Sequence, residues 1–168
     1  MKYPENIIKE ITVKVVMAVL GKAIQEASKV DEDVKKEISF YDDGFTVMMR
    51  VLPEGPKMAI RKNGDRFYYL GSNISPDEAD LVINFKNLQS AFLVFTAQMG
   101  TVEGFVQHRL NIKGDLANAM VFTRCVNIVQ RYLFPAVINK LILKELPPMP
   151  LKKHFLRFVI YGSLPLGK

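Results

Sequence analysis

The sequence of 168 residues contains one cysteine, two histidines and no tryptophan. The single Cys125 excludes an internal disulfide and a cysteine-based zinc site, and two histidines add little metal-binding capacity. No uncharged run reaches the roughly 20 apolar residues that a membrane-spanning helix needs. The N-terminal residues mix charges of both signs, unlike a secretion signal. Because cysteine is so scarce, we expect a protein of the reducing cytoplasm.

Acidic residues are scarce in the second half of the chain. Residues 1–84 hold 12 Lys and Arg against 14 Asp and Glu, whereas residues 85–168 hold 11 against three. This asymmetry indicates either an end that faces an anionic partner or a basic surface that keeps the protein in solution. No basic motif interleaved with aromatic residues is present, so we expect no nucleic-acid partner.

Catalytic motifs are absent as well. The chain has no G-x-S-x-G elbow, no glycine-rich phosphate loop and no H-E-x-x-H pair. His108 and His154 have no carboxylate or nucleophile near them in the sequence. Cys125 lies among apolar residues, which is typical of a small buried side chain rather than a reactive thiol. We expect a protein that is not an enzyme and that holds no metal or other cofactor.

Hydrophobic periodicity supplies the first structural signal. Residues 5–28 have the period of a helix, and we predict that its buried side carries Ile7, Ile8, Ile11, Val15, Val19 and Ile24. Alternation predicts strands at 37–41, 45–52, 57–62, 66–70, 81–85 and 106–113. Asn63-Gly64 predicts a tight hairpin, because both central positions of such a turn need positive φ. The inward face of the sheet would carry Ile38, Phe40, Phe45, Val47, Met49, Val51, Met58 and Ile60.

Capping residues predict where later helices begin. Asn87 would cap a helix that reaches about residue 98, and Asp115 would cap a longer helix that reaches about residue 134. Pro135 suits the first turn of a further amphipathic helix that ends near residue 145. A last apolar and basic piece occupies 151–161.

The order helix, strands, helix, strand, helices predicts an α+β fold with one mixed sheet. We assign residues 1–134 to a single domain and residues 135–168 to a C-terminal helical and basic extension. Packing of the extension on the same domain is our first interpretation. A homodimer contact and an anionic membrane surface are the alternatives.

The helix after Asp115 is apolar over about two-thirds of its circumference, wider than the roughly 100° stripe of an ordinary surface helix. Either the helix is sandwiched between a sheet and other helices, or it borders a cavity for a hydrophobic ligand. Periodicity alone favours the first interpretation, because wide apolar faces are usually core.

The segment from Asp80 to Leu133 carries a resemblance. It begins with the strand pattern DLVINF and continues through GFVQHRLNIKGDLANAM into a long apolar helix. It resembles the sterol carrier protein type 2 domain family, in which a strand ends in a Gly-Asp or Gly-Asn turn before a helix that begins with small residues and Met. The matching positions are Leu110, Ile112, Lys113, Gly114, Asp115, Ala119 and Met120. The order of elements matches over residues 5–134, whereas residues 135–168 exceed the usual domain.

The resemblance implies a single, mostly antiparallel five-stranded sheet covered by helices that enclose an apolar tunnel. It implies non-catalytic binding and transfer or presentation of a fatty acid, sterol or isoprenoid lipid. The implied ligand-binding residues are Phe92, Phe95, Met99, Phe105, Leu110, Ile112, Met120 and Phe122. A second hypothesis is an accessory protein that docks a membrane-associated enzyme of isoprenoid or quinone-type lipid metabolism. The extension could then contact an anionic membrane surface or an acidic protein partner.

Overall fold

The structure is a computed structural model, and it describes residues 4–96 and 98–133. The helices and strands follow one another as α1 (Pro4–Val30), α2 (Glu32–Ile38), β1 (Thr46–Val51), β2 (Lys57–Asn63), β3 (Arg66–Gly71), β4 (Leu81–Phe85), α3 (Leu88–Phe95), α4 (Thr101–Val106), β5 (Leu110–Lys113) and α5 (Leu116–Leu133). A short 3₁₀ turn (Pro76–Glu78) precedes β4. The helices predicted near residues 136–145 and 151–161 lie outside the described residues.

The five strands form one sheet in the order β3-β2-β1-β4-β5. β1 and β4 pair in parallel, and the three other neighbouring pairs are antiparallel. The predicted α+β class with a single mixed, mostly antiparallel five-stranded sheet is therefore confirmed. β1 lies at the centre, so its inward residues Val47, Met49 and Val51 pack in the main core.

Helices cover one face of the sheet, and the main core lies between them. Residues of α1, α2, α3 and α5 all join the inward strand residues in one buried cluster. The opposite face has a smaller cluster of Met48, Ala59, Ile74 and Val82, to which the segment before β4 contributes Ile74. Because the helices of residues 4–133 all pack on this one face, a site enclosed between them and the sheet has to lie there.

Local signals set several element ends as predicted. The Asn87 carboxamide oxygen accepts from the Ser90 N–H at 2.8 Å and caps α3, although α3 ends earlier than predicted, at Phe95. The Asp115 carboxylate accepts from the Ala117 N–H at 2.6 Å and begins α5. The β2–β3 hairpin forms as predicted, but its central positions are Gly64 and Asp65, because Asn63, the last residue of β2, still pairs with Arg66. Gly64 has φ +63°, whereas Asn63 does not have the predicted positive φ. Each of these signals acts over three or four residues, so no distant contact is needed to form it.

The buried face predicted for α1 is wrong. Ile24 is buried, but the other five residues are exposed to between 38% and 64%: Ile7, Ile8, Ile11, Val15 and Val19. The core side of the helix instead carries Val13, Met17, Leu20, Ala23, Ile24 and Ala27. Both sides of α1 are apolar, so periodicity alone cannot choose between them. Gly21 favours the observed side, because a Cβ there would lie 2.5 Å from the ring of Tyr69 on β3.

The strand predicted at 37–41 is also wrong, because residues 32–38 form α2. Asp31 caps this helix by accepting from the N–H groups of Asp33 and Val34 at 2.8 and 3.1 Å. Val34 and Ile38, four residues apart, are its buried residues. Ile38 is thus buried as predicted but on a helix, whereas Phe40 is 67% exposed.

The strand predicted at 106–113 is correct only for its second half. Residues Thr101–Val106 form α4, and the strand β5 is limited to Leu110–Lys113. Between them His108 has φ +55°, and the N–H of Arg109 donates to the Gly104 carbonyl at 2.9 Å. Apolar and polar residues therefore alternate from Val106 to Lys113 although the chain there ends a helix, turns at His108 and only then forms a strand.

The Gly114 turn between β5 and α5 gives a test of the fold. Gly114 has φ +128°, and a Cβ would lie 2.7 Å from the backbone oxygen of Asp80. Since backbone cannot move aside as a side chain can, Gly114→Ala should lower the free energy of unfolding by about 2–3 kcal/mol.

The matched control is Gly64→Ala, which also has positive φ but meets nothing within 4 Å. That substitution should cost only about 1 kcal/mol. Urea unfolding of both variants checks the difference, and equal losses would contradict a role for the Asp80 contact.

Candidate functional site

A small apolar pocket lies between the helix-covered face of the sheet and helices α3, α4 and α5. Strand residues form its floor, and residues of the three helices form its walls. The lining residues are Met49, Ile83, Phe85, Val94, Phe95, Thr101, Phe105, Leu110, Phe122, Thr123, Val126 and Gln130. Helices α3, α4 and α5 thus all contribute residues to the same pocket.

The parallel pair β1–β4 builds the floor of the pocket. Met49 and Ile83 are cross-strand partners in the register of that pair, so their side chains share one face. Phe85, two residues after Ile83, lies on the same face, and its ring centroid is 5.2 Å from that of Phe95 on α3. This tilted aromatic pair joins the floor to the α3 wall.

The pocket contains no ionisable side chain among its lining residues. Its polar members are Thr101, Thr123 and Gln130. The Thr123 hydroxyl donates to the Ala119 carbonyl at 2.9 Å, which satisfies it within its own helix. A ligand here would be held by shape and by burial of apolar surface rather than by charge.

Four of the eight predicted ligand-binding residues meet at this pocket: Phe95, Phe105, Leu110 and Phe122. The other four lie elsewhere. Met99 is buried in the main core, while Phe92 and Ile112 are partly buried against it. Met120 is 56% exposed on α5. A ligand-binding role for any of the eight stays a prediction.

The sequence argument missed the floor and much of the α5 wall. Met49, Ile83 and Phe85 occupy inward strand positions that the alternation pattern already marks as facing the helices. Thr123, Val126 and Gln130 follow Phe122 at helical spacing on α5. The alternation in the strands and the helical spacing on α5 each mark an apolar face. Neither pattern shows which strand α5 will cover, so the sequence does not show that these two faces meet.

Helix α4 is the least strongly fixed wall. It has six residues, and its N-cap is Gly100, which offers no side chain to cap it. One side carries the lining residues Thr101 and Phe105, whereas Val102 and Val106 are more than 70% exposed. The space enclosed beneath it is about 20 Å³, enough for about one water molecule.

Gly104 allows α4 to pack closely over β5. A Cβ at this position would lie 3.0 Å from Cδ1 of Leu110, which is tighter than an ordinary contact. We expect Gly104→Ala to loosen α4, because the added methyl group pushes it away from Leu110. Hydrogen exchange of the amides of Thr101–Val106 should then become faster, while that of α5 stays the same.

Val102→Ala is the control, because Val102 is 72% exposed on α4 and does not line the pocket. The exchange of α4 should not become faster in this variant, because alanine favours a helix and the side chain it replaces lies mainly in solvent. Unchanged exchange in Gly104→Ala would show that the contact with Leu110 does not limit the position of α4.

Reactive groups do not gather near the pocket. Within residues 4–96 and 98–133, no three His, Cys, Asp or Glu side chains are placed to hold a metal ion. Cys125 is fully buried on α5. Burial, followed by the nearby negative charge of Glu37, raises the pKa of its thiol to about 12. The thiol is therefore protonated near neutral pH, which is the opposite of what a nucleophile needs.

The raised pKa of Cys125 predicts a loss of stability in alkali. A thiol in the unfolded chain ionises near its ordinary pKa, so from about pH 9 upward the unfolded state loses a proton that the native state keeps. Stability is therefore complete below that pH and falls above it. Between pH 8 and pH 10 the free energy of unfolding should fall by about 1–2 kcal/mol more in the unchanged protein than in Cys125→Ala.

Urea unfolding at the two pH values checks this difference. Burial also raises the pKa of Tyr41 and of Tyr132, but both tyrosines are present in both proteins. Parallel losses in the two proteins would contradict the assignment to Cys125.

The helices over one face of a mixed five-stranded sheet define the class of this protein as an α+β domain. Sterol carrier protein 2 from Yarrowia lipolytica, in its apo form, shares 13% identity and a TM-score of 0.50 over 71% of this chain and 92% of that one. The UbiJ-SCP2 ubiquinone synthesis protein shares 11% identity and a TM-score of 0.48 over 73% of this chain and 98% of that one. The chain has the sterol carrier protein 2 fold, as the sequence resemblance implies.

At the level of sequence, no family model and no curated protein matches the chain. Across the described part of the chain, no helix has both the length and the apolar character needed to cross a membrane.

Proposed function

We propose that this chain binds a hydrophobic ligand with a fatty acyl, isoprenoid or sterol skeleton in the pocket beneath α4, and transfers or presents it unchanged. The observation that carries the proposal is an apolar pocket, with no ionisable lining residue, at the junction of the sheet and three helices. The fold supports it, since a protein named sterol carrier protein 2 has the same fold.

The pocket has to open before such a ligand can enter. Its space of about 20 Å³ is far below the roughly 300–1,000 Å³ of ordinary small-molecule sites. Helix α4 is the wall we expect to move, because it is short, lacks a side-chain cap and keeps two of its valines in solvent. The floor is fixed by strand pairing and cannot yield in the same way.

The energies of opening and of ligand burial can be compared directly. Moving α4 outward exposes chiefly Phe105 and the part of Leu110 beneath Gly104, at a cost of about 2–3 kcal/mol for each well-buried side chain. A ligand that buries ten methylene groups gains up to about 8 kcal/mol, from which an association cost of at least about 4 kcal/mol is subtracted. The gain is therefore about as large as the two costs together, so the closed pocket is compatible with a ligand site of modest affinity.

Thr123→Glu tests the location of the site. Thr123 lines the pocket but is only partly buried, so the fold should accept a carboxylate there. A ligand in the pocket would bury that charge, and we expect its affinity to fall at least about tenfold. Displacement of the fluorescent fatty acid cis-parinaric acid, together with native mass spectrometry of the purified protein, gives the measurement.

Asn127→Glu is the matched control. Asn127 is also partly buried and lies one turn further along α5, but it does not line the pocket. Its affinity for cis-parinaric acid should match that of the unchanged chain. Equal affinity in Thr123→Glu would place the ligand elsewhere, and absence of any bound or exchangeable lipid in the folded unchanged protein would overturn the function.

The accessory-protein hypothesis makes a different claim, because it needs a partner enzyme rather than a cavity. It stays a prediction, since nothing in the described residues favours such a partner over a ligand.

A further inference from the structure

The outer side of α1 carries an unusually apolar surface. Five aliphatic side chains are exposed over the first two-thirds of the helix, and we name them the α1 stripe: Ile7, Ile8, Ile11, Val15 and Val19. At 100° per residue, these positions fall within about one-third of the circumference. Scattered exposed apolar residues are normal, but a contiguous set of this kind marks a surface that another element covers.

A groove borders the N-terminal end of this stripe. It has a volume of about 350 Å³ and lies between α1, the start of α3 and the loop between β1 and β2. Its ionisable lining residues are two carboxylates, Glu10 and Glu54, and the remaining lining residues are Val51, Leu52, Pro53, Gly55, Pro56 and Leu88. Glu10 lies three residues from Ile7 on α1, so the groove and the stripe are neighbours. The combined surface is apolar with an acidic edge.

The C-terminal part of the sequence has the complementary composition. Residues 134–168 contain six Lys and Arg against one Glu, and 18 of these 35 residues are apolar. Residues 4–133, by contrast, hold 16 basic and 16 acidic residues. The basic excess of the protein thus comes from the chain ends, almost all of it from the C-terminal segment.

The end of α5, where this segment begins in the sequence, lies next to the C-terminal end of α1. The Tyr132 hydroxyl donates to the Asp31 carboxylate, and Asp31 directly follows the last residue of α1. α1 is about 40 Å long at 1.5 Å per residue, and 35 further residues would span about 50 Å even if all were helical. The segment can therefore reach every part of the stripe and the groove.

We propose that residues 135–168 dock on the α1 stripe and on the adjoining acidic groove of the same chain. The aliphatic side chains of the segment cover the stripe, and its Lys and Arg residues face Glu10 and Glu54. A tether that begins at Leu133 keeps the segment at a high effective concentration near this surface, which favours it over a second molecule. The acidic edge of the groove opposes an anionic membrane and favours a basic peptide.

A paramagnetic label beside the stripe tests this placement in the full-length chain. Lys14 is exposed and adjoins Val15, so a nitroxide on Lys14→Cys, in a Cys125→Ala background, reports on the stripe without replacing it. We expect the amide signals of residues within 135–168 to lose most of their intensity. The control label is on Tyr68→Cys, which is 45% exposed and alternates with Phe67 and Tyr69, the β3 residues that pack in the main core. It should leave those signals unchanged.

The double variant Ile11→Gln/Val15→Gln, carrying the same Lys14 label, tests whether the stripe is the docking surface. Both residues are more than half exposed, so signals of residues 4–133 should remain while the broadening within 135–168 is lost. Persistent broadening in this variant, or none from Lys14 in the first place, would overturn the proposal.

Two further samples identify a different occupant. Broadening that persists when a labelled, unenriched chain is mixed with an isotope-enriched, unlabelled chain would assign the surface to a second copy, because label and signal then lie on different molecules. Broadening that appears only after addition of phosphatidylglycerol vesicles would assign the rearrangement to a membrane. Either result contradicts docking within one chain, and neither bears on ligand binding beneath α4.

Discussion

One buried carboxylate joins three helices of this fold. Asp31 is 1% exposed, so its charge has to be balanced by hydrogen bonds from the protein. One oxygen accepts from two N–H groups at the start of α2, and the other accepts the hydroxyl of Tyr132 near the end of α5. Asp31 also follows α1 directly, so a single side chain fixes the corner where all three helices meet.

The position of α5 follows from this corner and from a second contact at its other end. The Tyr41 hydroxyl, just after α2, donates to the Asn118 carbonyl at 2.6 Å. Between the two, Arg124 forms an ion pair with Glu37 at 2.8 Å. With α5 held along α2, its Phe122, Thr123 and Val126 side chains are presented to the sheet as one rigid wall of the pocket. Within residues 4–96 and 98–133, no side chain of α4 makes a comparable hydrogen bond or ion pair to another helix or strand, and this contrast is the reason why α4 is the wall expected to move in the proposed function.

The boundaries of the described helices and strands show which part of the chain carries the excess positive charge. The split of the sequence into two halves indicated either an anionic partner for the second half or a basic surface that keeps the protein in solution. In residues 4–133, however, the numbers of basic and acidic residues are equal. The positive charge therefore belongs mainly to the segment after α5 rather than to the pocket. If the segment docks as proposed, its charge needs no partner outside the chain to account for it.

The sequence alone determined the local features of this protein. Asn87 and Asp115 begin helices through hydrogen bonds that act within a few residues. Gly64 closes a hairpin because its positive φ acts equally locally, although the turn lies one residue later than the sequence pattern indicated. The inward residues of β1 and β2 were also readable, since alternation depends only on the strand itself. The resemblance around Gly114-Asp115 gave the fold, which the common architecture with sterol carrier protein 2 bears out.

Tertiary contacts decided what periodicity left open. α1 is apolar on both sides. The side with Gly21 packs on the sheet, because a residue without a Cβ allows the ring of Tyr69 to approach the helix closely. The alternating residues from Val106 to Lys113 divide into a helix end and a strand, because Gly104 packs against Leu110. Sequence periodicity is equally unable to separate pocket residues from core residues. Phe95 and Met99 are both apolar residues of the same segment, yet of the two only Phe95 borders the pocket. Burial of an apolar side chain is favourable in a core and in a cavity alike, so only the arrangement of the surrounding elements separates the two.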